Sequence, residues 1–153
     1  MKVTVPPSIS PSPEETFETH KRPVHILIAE DNAGDVLLIQ EALQFEKLDS
    51  KLIVHTDGEQ MLRYIERIDA GEISCPDIVL LDLNLPKKNG HVLLERMKQS
   101  LVCGHVPVVI VTSSNSPADR QTAARLGVTE YLRKPSDFDE FMRLGALVRK
   151  LTR

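Results

Sequence analysis

Cysteine is scarce in this 153-residue chain, which has only Cys75 and Cys103. They stand far apart, with neither a CxxC spacing nor a nearby histidine pair. That pattern speaks against a disulfide framework or a zinc site and suits a reducing cytosol. Excess charge is equally scarce: nineteen Lys and Arg face twenty-two Asp and Glu, a formal charge of -3. A strong cationic field for nucleic acid or an anionic membrane is therefore absent. Long apolar runs are missing too. Stretches such as 78–81 are far too short to span a bilayer, and the N-terminus lacks the charged start and apolar core of a secretory signal. A cytoplasmic protein with no nucleic-acid and no membrane partner is expected.

What is present suffices for one domain, since 41% apolar content can build a core at this length. Residues 1–22 hold Pro6, Pro7, Pro11 and Pro13 among Ser, Thr and Glu, and Pro23 follows at the boundary. Such composition buries little apolar area to offset chain entropy, so a mobile tail is expected there, with a folded domain over 23–153. From Val24 onward, short β-branched runs alternate with amphipathic stretches, the pattern of βα units around a parallel sheet. Strands are expected at 24–29, 51–55, 77–81, 106–111 and 129–133. Val36, Leu37, Ile39, Leu43 and Phe45 give the first helix an apolar side. Met61, Leu62, Ile65 and Ile68 do so for the second, and Val92, Leu93, Leu94 and Met97 for the third. Asp57-Gly58, Asn89-Gly90 and Ser116-Pro117 read as helix starts, and Gly127 as a helix end. On the last helix, 137–151, Phe138, Phe141, Met142, Gly145 and Val148 form a stripe for the sheet. Leu144, Leu147 and Leu151 lie about a quarter-turn away, a candidate dimer surface.

In an open parallel sheet, ligands bind outside the carboxyl ends of the strands, near the point where strand order reverses. Those ends carry Glu30-Asp31, Asp82, Thr112-Ser113 and Lys134-Pro135. With the flavodoxin-like order 2-1-3-4-5, strands one and three are neighbours, and Glu30, Asp31 and Asp82 share one pocket. Three crowded carboxylates repel one another unless protons or a cation intervene. Magnesium takes oxygen ligands and is commonly held by one or two carboxylates plus a substrate phosphate. Lys134 adds a second positive charge, and the Thr112 hydroxyl can meet a remaining phosphate oxygen. Asp82, anchored by the apolar run before it, has the character of a nucleophile able to form an aspartyl phosphate.

These residues resemble the receiver domains of two-component response regulators. The resemblance spans about residues 24–152 and rests on Glu30-Asp31, on Leu80-Leu81-Asp82-Leu83-Asn84-Leu85-Pro86 with Gly90, on Pro107 through Ser113, and on Tyr131 with Lys134-Pro135. It implies a flavodoxin-like (βα)5 fold with Asp82 as phosphoacceptor. Glu30, Asp31, Asp82 and the main-chain carbonyl of Asn84 would hold Mg2+, for which Mn2+ can substitute. Thr112, Ser113 and Lys134 would contact the phosphoryl group, Thr112 and Tyr131 would form a switch pair, and the Lys134-Pro135 bond would be cis. A sensor histidine kinase is the implied donor. The protein would assist only its own phosphorylation and dephosphorylation. Homodimerisation through the fourth helix, fifth strand and fifth helix is the implied use of the leucine stripe.

The stretches 30–43 and 85–90 look like those of stand-alone receivers that partner phytochrome histidine kinases. No output domain follows Arg153 in the sequence, so the signal is expected to pass by protein contact. One departure is Glu30-Asp31 where many receivers carry Asp-Asp, which alters metal geometry. Two other readings compete: a phosphorylation-independent interaction module with the same fold, and an aspartate-nucleophile phosphatase. The second lacks its Asp-x-Asp, because Asn84 sits two residues after Asp82. A flavin binder is disfavoured by the acidic first loop, which repels a bare phosphate. The histidines, His20, His25, His55, His91 and His105, share no spacing and are expected to be surface or packing residues.

Overall fold

The computed structural model describes residues 22–153, so the tail reading for 1–21 lies outside the described residues. Arg22, the first described residue, forks onto both Asp77 carboxylate oxygens, which holds that carboxyl below the usual range. The order of elements is β1 (Val24–Ala29), α1 (Ala33–Phe45), β2 (Ser50–His55), α2 (Gly58–Asp69), β3 (Ile78–Leu81), α3 (Gly90–Gln99), β4 (Val108–Thr112), α4 (Pro117–Arg125), β5 (Glu130–Arg133) and α5 (Phe138–Thr152). The sheet is parallel with order β2-β1-β3-β4-β5, the flavodoxin-like order that the resemblance implied.

Strand composition decides position in the sheet. β3 and β4 are buried along their whole length, as central parallel strands covered on both faces must be. β2 and β5 alternate with exposed or half-buried residues and take the edges. Side chains alternate between two cores. Leu27, Ala29, Val79, Leu81, Val108 and Ile110 meet α2, α3 and α4 on one face. Ile26, Ile28, Ile78, Leu80, Val109 and Val111 meet α1 and α5 on the other. Each helix opens on an Asn, Asp or Ser whose side chain accepts a backbone N–H of the first turn: Asn32, Asp57, Asn89, Ser116 and Asp137. Among the described residues, no helix is long and apolar enough to cross a membrane.

Several expectations need correction. Leu37, Phe45, Val92 and Phe138 are exposed, Phe45 at 71%. In α1 the buried stripe is Ile39, Ala42 and Leu43. Leu37 and Phe45 lie two residues to either side of it, which turns them about 200° around the helix, away from the sheet. Of the candidate dimer stripe, Leu144 is only 4% exposed, inside the α1–α5 core, whereas Leu147 and Leu151 pack against that core while staying half-buried. β3 begins at Ile78 rather than Asp77, whose carboxylate accepts the His25 backbone N–H. Cys75 and Cys103 are joined as a disulfide, with Cα atoms 5.8 Å apart. Their spacing concealed this, because the two loops containing them enter the neighbouring strands β3 and β4. The Lys134-Pro135 bond is trans, like every peptide bond among the described residues. Trans is the lower-energy isomer before proline, and the Lys134 N–H, part of the preceding peptide, donates to the Thr112 carbonyl at 2.7 Å.

Helices α1 and α5 come close at Gly145 of α5, which faces the Ala42 carbonyl of α1 with no room for a Cβ. Changing Gly145 to Ala pushes a methyl into that backbone. The expected cost is about 1–3 kcal/mol, the range for overpacked cores, read as a lower urea midpoint at unchanged slope. A variant as stable as the parent would show that the two helices can slide apart freely.

Candidate functional site

The register of the sheet brings the charged strand ends together. Ala29 pairs with Leu81 and Leu81 with Ile110, so the residues after β1 and β3 and the end of β4 lie side by side. The Asp82 N–H donates to the Ala29 carbonyl at 3.0 Å, fixing the start of its loop. Glu30 and Asp82 are buried at 3% and 5% exposure, whereas Asp31 is exposed. Carboxylate oxygens of Glu30, Asp31 and Asp82 all lie within 4.8 Å of one another.

Lys134, delivered by β5, points its ammonium into this cluster. It pairs with Glu30 Oε1 at 2.8 Å, Asp82 Oδ2 at 2.9 Å and Asp35 Oδ2 at 2.8 Å. Burial opposes the charged lysine, but the hydrogen bonds it donates to Asp35, Glu30 and Asp82 outweigh that and hold its pKa well above the ordinary value. Burial raises the Glu30 carboxyl, against the pull of the Lys134 hydrogen bond. The other oxygens are engaged too: Asn32 N–H donates to Glu30 Oε2, and Asn84 N–H to Asp82 Oδ1, both at 3.1 Å.

Asp35 was missed by sequence reasoning. Its signal was available: it is an acidic residue in the first turn of α1, where side chains lean back toward the strand ends. Thr112 is fully buried, and its hydroxyl accepts from Asn84 Nδ2 at 3.4 Å, so it too reaches the Asp82 loop. Ser113 is exposed and is not drawn into this network among the described residues. Tyr131 is half-buried, its hydroxyl donating to the Ser114 carbonyl at 3.1 Å, with the Arg120 guanidinium 4.5 Å above its ring.

The donor set fits a hard divalent cation. It consists of carboxylate oxygens alone, on a rigid sheet end, and one lysine cannot neutralise Glu30, Asp31, Asp35 and Asp82 together. Glu30→Gln in metal-free buffer is therefore expected to be at least as stable as the parent at neutral pH. Because the Glu30 pKa is raised in the folded state, the stability tied to its proton is complete below about 4.3 and is lost as pH climbs through the folded value. The variant's relative gain should thus appear above that pH and vanish below it in urea titrations. Divalent-metal affinity should fall at least about tenfold, on the scale set by disturbing metal shells. Undiminished metal binding would remove Glu30 from the cation site.

The response regulator receiver domain family model matches residues 26–144. The chain is 34% identical over 123 residues to response regulator Rcp1 of Synechocystis sp., covering 80% of this chain and 84% of Rcp1. It is 36% identical over 121 residues to the probable methanogenesis regulatory protein FilR2 of Methanothrix harundinacea, covering 79% and 78% of the two chains. Among solved structures, the phosphorylated cyanobacterial phytochrome response regulator RcpA superposes with a TM-score of 0.77 at 29% identity, over 86% of this chain and 94% of RcpA. The Mn(2+)-bound form of Rcp1 superposes with a TM-score of 0.75 at 31% identity, over 84% of this chain and 93% of Rcp1.

Proposed function

Since the chain belongs to the response regulator receiver domain family, we propose that it accepts a phosphoryl group on Asp82 from a histidine kinase and passes the signal on by protein contact. The observation that carries this reading is the setting of Asp82. Its carboxylate is buried at the sheet end, held by the Lys134 ammonium at 2.9 Å and beside the Glu30 and Asp31 oxygens.

In the proposed transfer, an Asp82 oxygen attacks the phosphorus in line. The new O–P bond forms as the donor's bond to phosphorus breaks, leaving an aspartyl phosphate and the freed donor. Lys134 stabilises the charge shifted onto the phosphoryl oxygens, and the buried Thr112 hydroxyl offers them a donor. Glu30, Asp31, Asp82 and the Asn84 carbonyl would hold Mg2+, which would supply further positive charge at the same place. Thr112 moving toward the phosphoryl group would free Tyr131 to turn inward, altering the surface of α4, β5 and α5. That surface includes a groove of about 310 Å³ lined by Leu132, Leu144, Leu147, Arg133 and Arg143, which we assign to the contact with the next protein or with a second copy. Likeness to RcpA, a phytochrome response regulator, supports a phytochrome histidine kinase as the donor.

The test is intact-protein mass spectrometry after incubation with acetyl phosphate, with and without Mg2+, on the protein and on Asp82→Asn. A magnesium-dependent gain of one phosphoryl group, absent from the variant, is expected. No gain from folded, metal-binding protein would shift the reading to a phosphorylation-independent interaction module.

A further inference from the structure

A second set of bonds reaches the Asp82 loop from outside the carboxylate pocket. His91, in the first turn of α3, places Nε2 at 3.1 Å from Asp119 Oδ1, in the first turn of α4. The other Asp119 oxygen accepts from the Ser114 hydroxyl, which in turn accepts the Ser116 N–H at 3.3 Å. These two bonds hold the Asp119 carboxyl below its usual range, the serine first and the histidine second. Ser114 is the hub of the β4–α4 loop. Its N–H reaches Thr112 Oγ1 at 3.4 Å, and its carbonyl receives the Tyr131 hydroxyl.

The His91 end is equally anchored. Gly90 N–H donates to the Leu83 carbonyl at 3.1 Å, and a Cβ on Gly90 would lie 3.0 Å from the Asp82 carbonyl, so the first turn of α3 moves with the Asp82 loop. Asn84 to Thr112 ties the two loops on the inside, and His91 to Asp119 to Ser114 ties them on the outside. A carboxylate only accepts hydrogen bonds, so the facing His91 nitrogen carries the proton. The other ring nitrogen, Nδ1, is buried and has no partner among the described residues. The fold carries that unsatisfied atom while keeping the Asp119 contact.

We propose that His91 is a positioning residue for the phosphoryl site: through Asp119 and Ser114 it holds the β4–α4 loop, and with it the Thr112 hydroxyl, in register with Asp82. This rests on the reading of Asp82 as phosphoacceptor. Without His91, Asp119 loses one of the two side chains that hold its carboxylate, Ser114 is left bonded to a freer acceptor, and Thr112 spends less time where a phosphoryl oxygen needs it. An ångström of misplacement in such a site can cost on the order of a hundredfold.

The experiment compares rates of phosphoryl gain from acetyl phosphate with saturating Mg2+ in the full chain, His91→Ala, His91→Gln, Asp119→Asn and His91→Ala/Asp119→Asn. His91→Ala should lower the plateau rate about fivefold or more with the half-saturating donor concentration unchanged. His91→Gln, whose amide can still donate to Asp119, should restore most of it, and the double variant should be no slower than the worse single one. In the unphosphorylated protein, His91→Ala should shift the Ser114 and Thr112 amide signals in a 15N correlation spectrum. A parental rate, unmoved amides, or failure of Gln to rescue would each overturn the proposal while leaving Asp82 in place. No phosphoryl gain in the parent would instead overturn both readings.

Discussion

Replacing Lys134 by Met will destabilise the metal-free protein by about 3–5 kcal/mol at neutral pH, the cost of removing one partner from a buried ionic cluster. The aliphatic stem is kept, so the loss comes from charge. Glu30, Asp82 and Asp35 lean on a single ammonium at 2.8–2.9 Å, and two of them have almost no contact with water. Once the ammonium is gone, the carboxylates repel in a poorly solvated place, and protonation is their relief. The difference between parent and variant should therefore narrow in acid, with Glu30 first to take a proton because burial already raises its pKa. At the alkaline end the sign follows from the raised pKa of Lys134. The stability it confers is complete below the ordinary lysine value of about 10.4 and is lost only as pH climbs through the higher folded value. Between neutral pH and about 10 the deficit should be flat. Urea unfolding in EDTA across that range measures it, and added Mg2+ should recover part of the loss. A variant as stable as the parent in EDTA would mean that the carboxylates do not ionise together.

Reducing the Cys75–Cys103 disulfide will cost roughly 3–4 kcal/mol of stability, the loop-closure range for the 28-residue separation of the bridged positions. The bond ties the loop entering β3 to the loop entering β4, at the end of the sheet opposite Asp82. Its effect falls mainly on the unfolded chain, so the folded protein's spectra should hardly change. Urea curves with and without dithiothreitol, compared with Cys75→Ala/Cys103→Ala, read the difference. The double variant should match the reduced parent, because Ala leaves no hydroxyl at the fully buried Cys103 position. Superimposable oxidised and reduced curves would show that the bond contributes nothing.

The legible part of the molecule was the part governed by nearest neighbours. Buried parallel strands are apolar almost throughout, so the runs within the expected 77–81 and 106–111 announced β3 and β4, whose observed bounds are Ile78–Leu81 and Val108–Thr112. Glu30, Asp82, Thr112 and Lys134 each stand at the end of such a run, where topology converts position into proximity. What escaped depends on partners chosen by the fold. Asp35 reaches a lysine 99 residues away, His91 an aspartate 28 residues away, and Cys75 a cysteine equally distant. No local spacing encodes these pairs. Apolar identity misled at Leu37, Phe45 and Phe138, because a helix against a sheet buries one stripe and leaves the rest facing water. Leu144 erred the other way: α5 also packs on α1, so its buried arc is wider than one sheet contact needs.

The seam between α1 and α5 has a consequence for synthesis. Arg149 of α5 closes on Glu46 just after α1, by an ion pair at 3.4 Å and a hydrogen bond to the Glu46 carbonyl, across 103 residues of sequence. At about 5–20 residues per second, a ribosome needs roughly 5–20 s to travel that distance. Throughout that interval Ile39 and Leu43, joined by Ile78 and Leu80 once they are made, have no α5 to cover them. The face built by α2, α3 and α4 can assemble earlier, from contacts already translated. The nascent chain thus passes through a state sheltered on one side and open on the other, and a ribosome stalled before α5 holds out a greasy sheet face for chaperones or proteases to find.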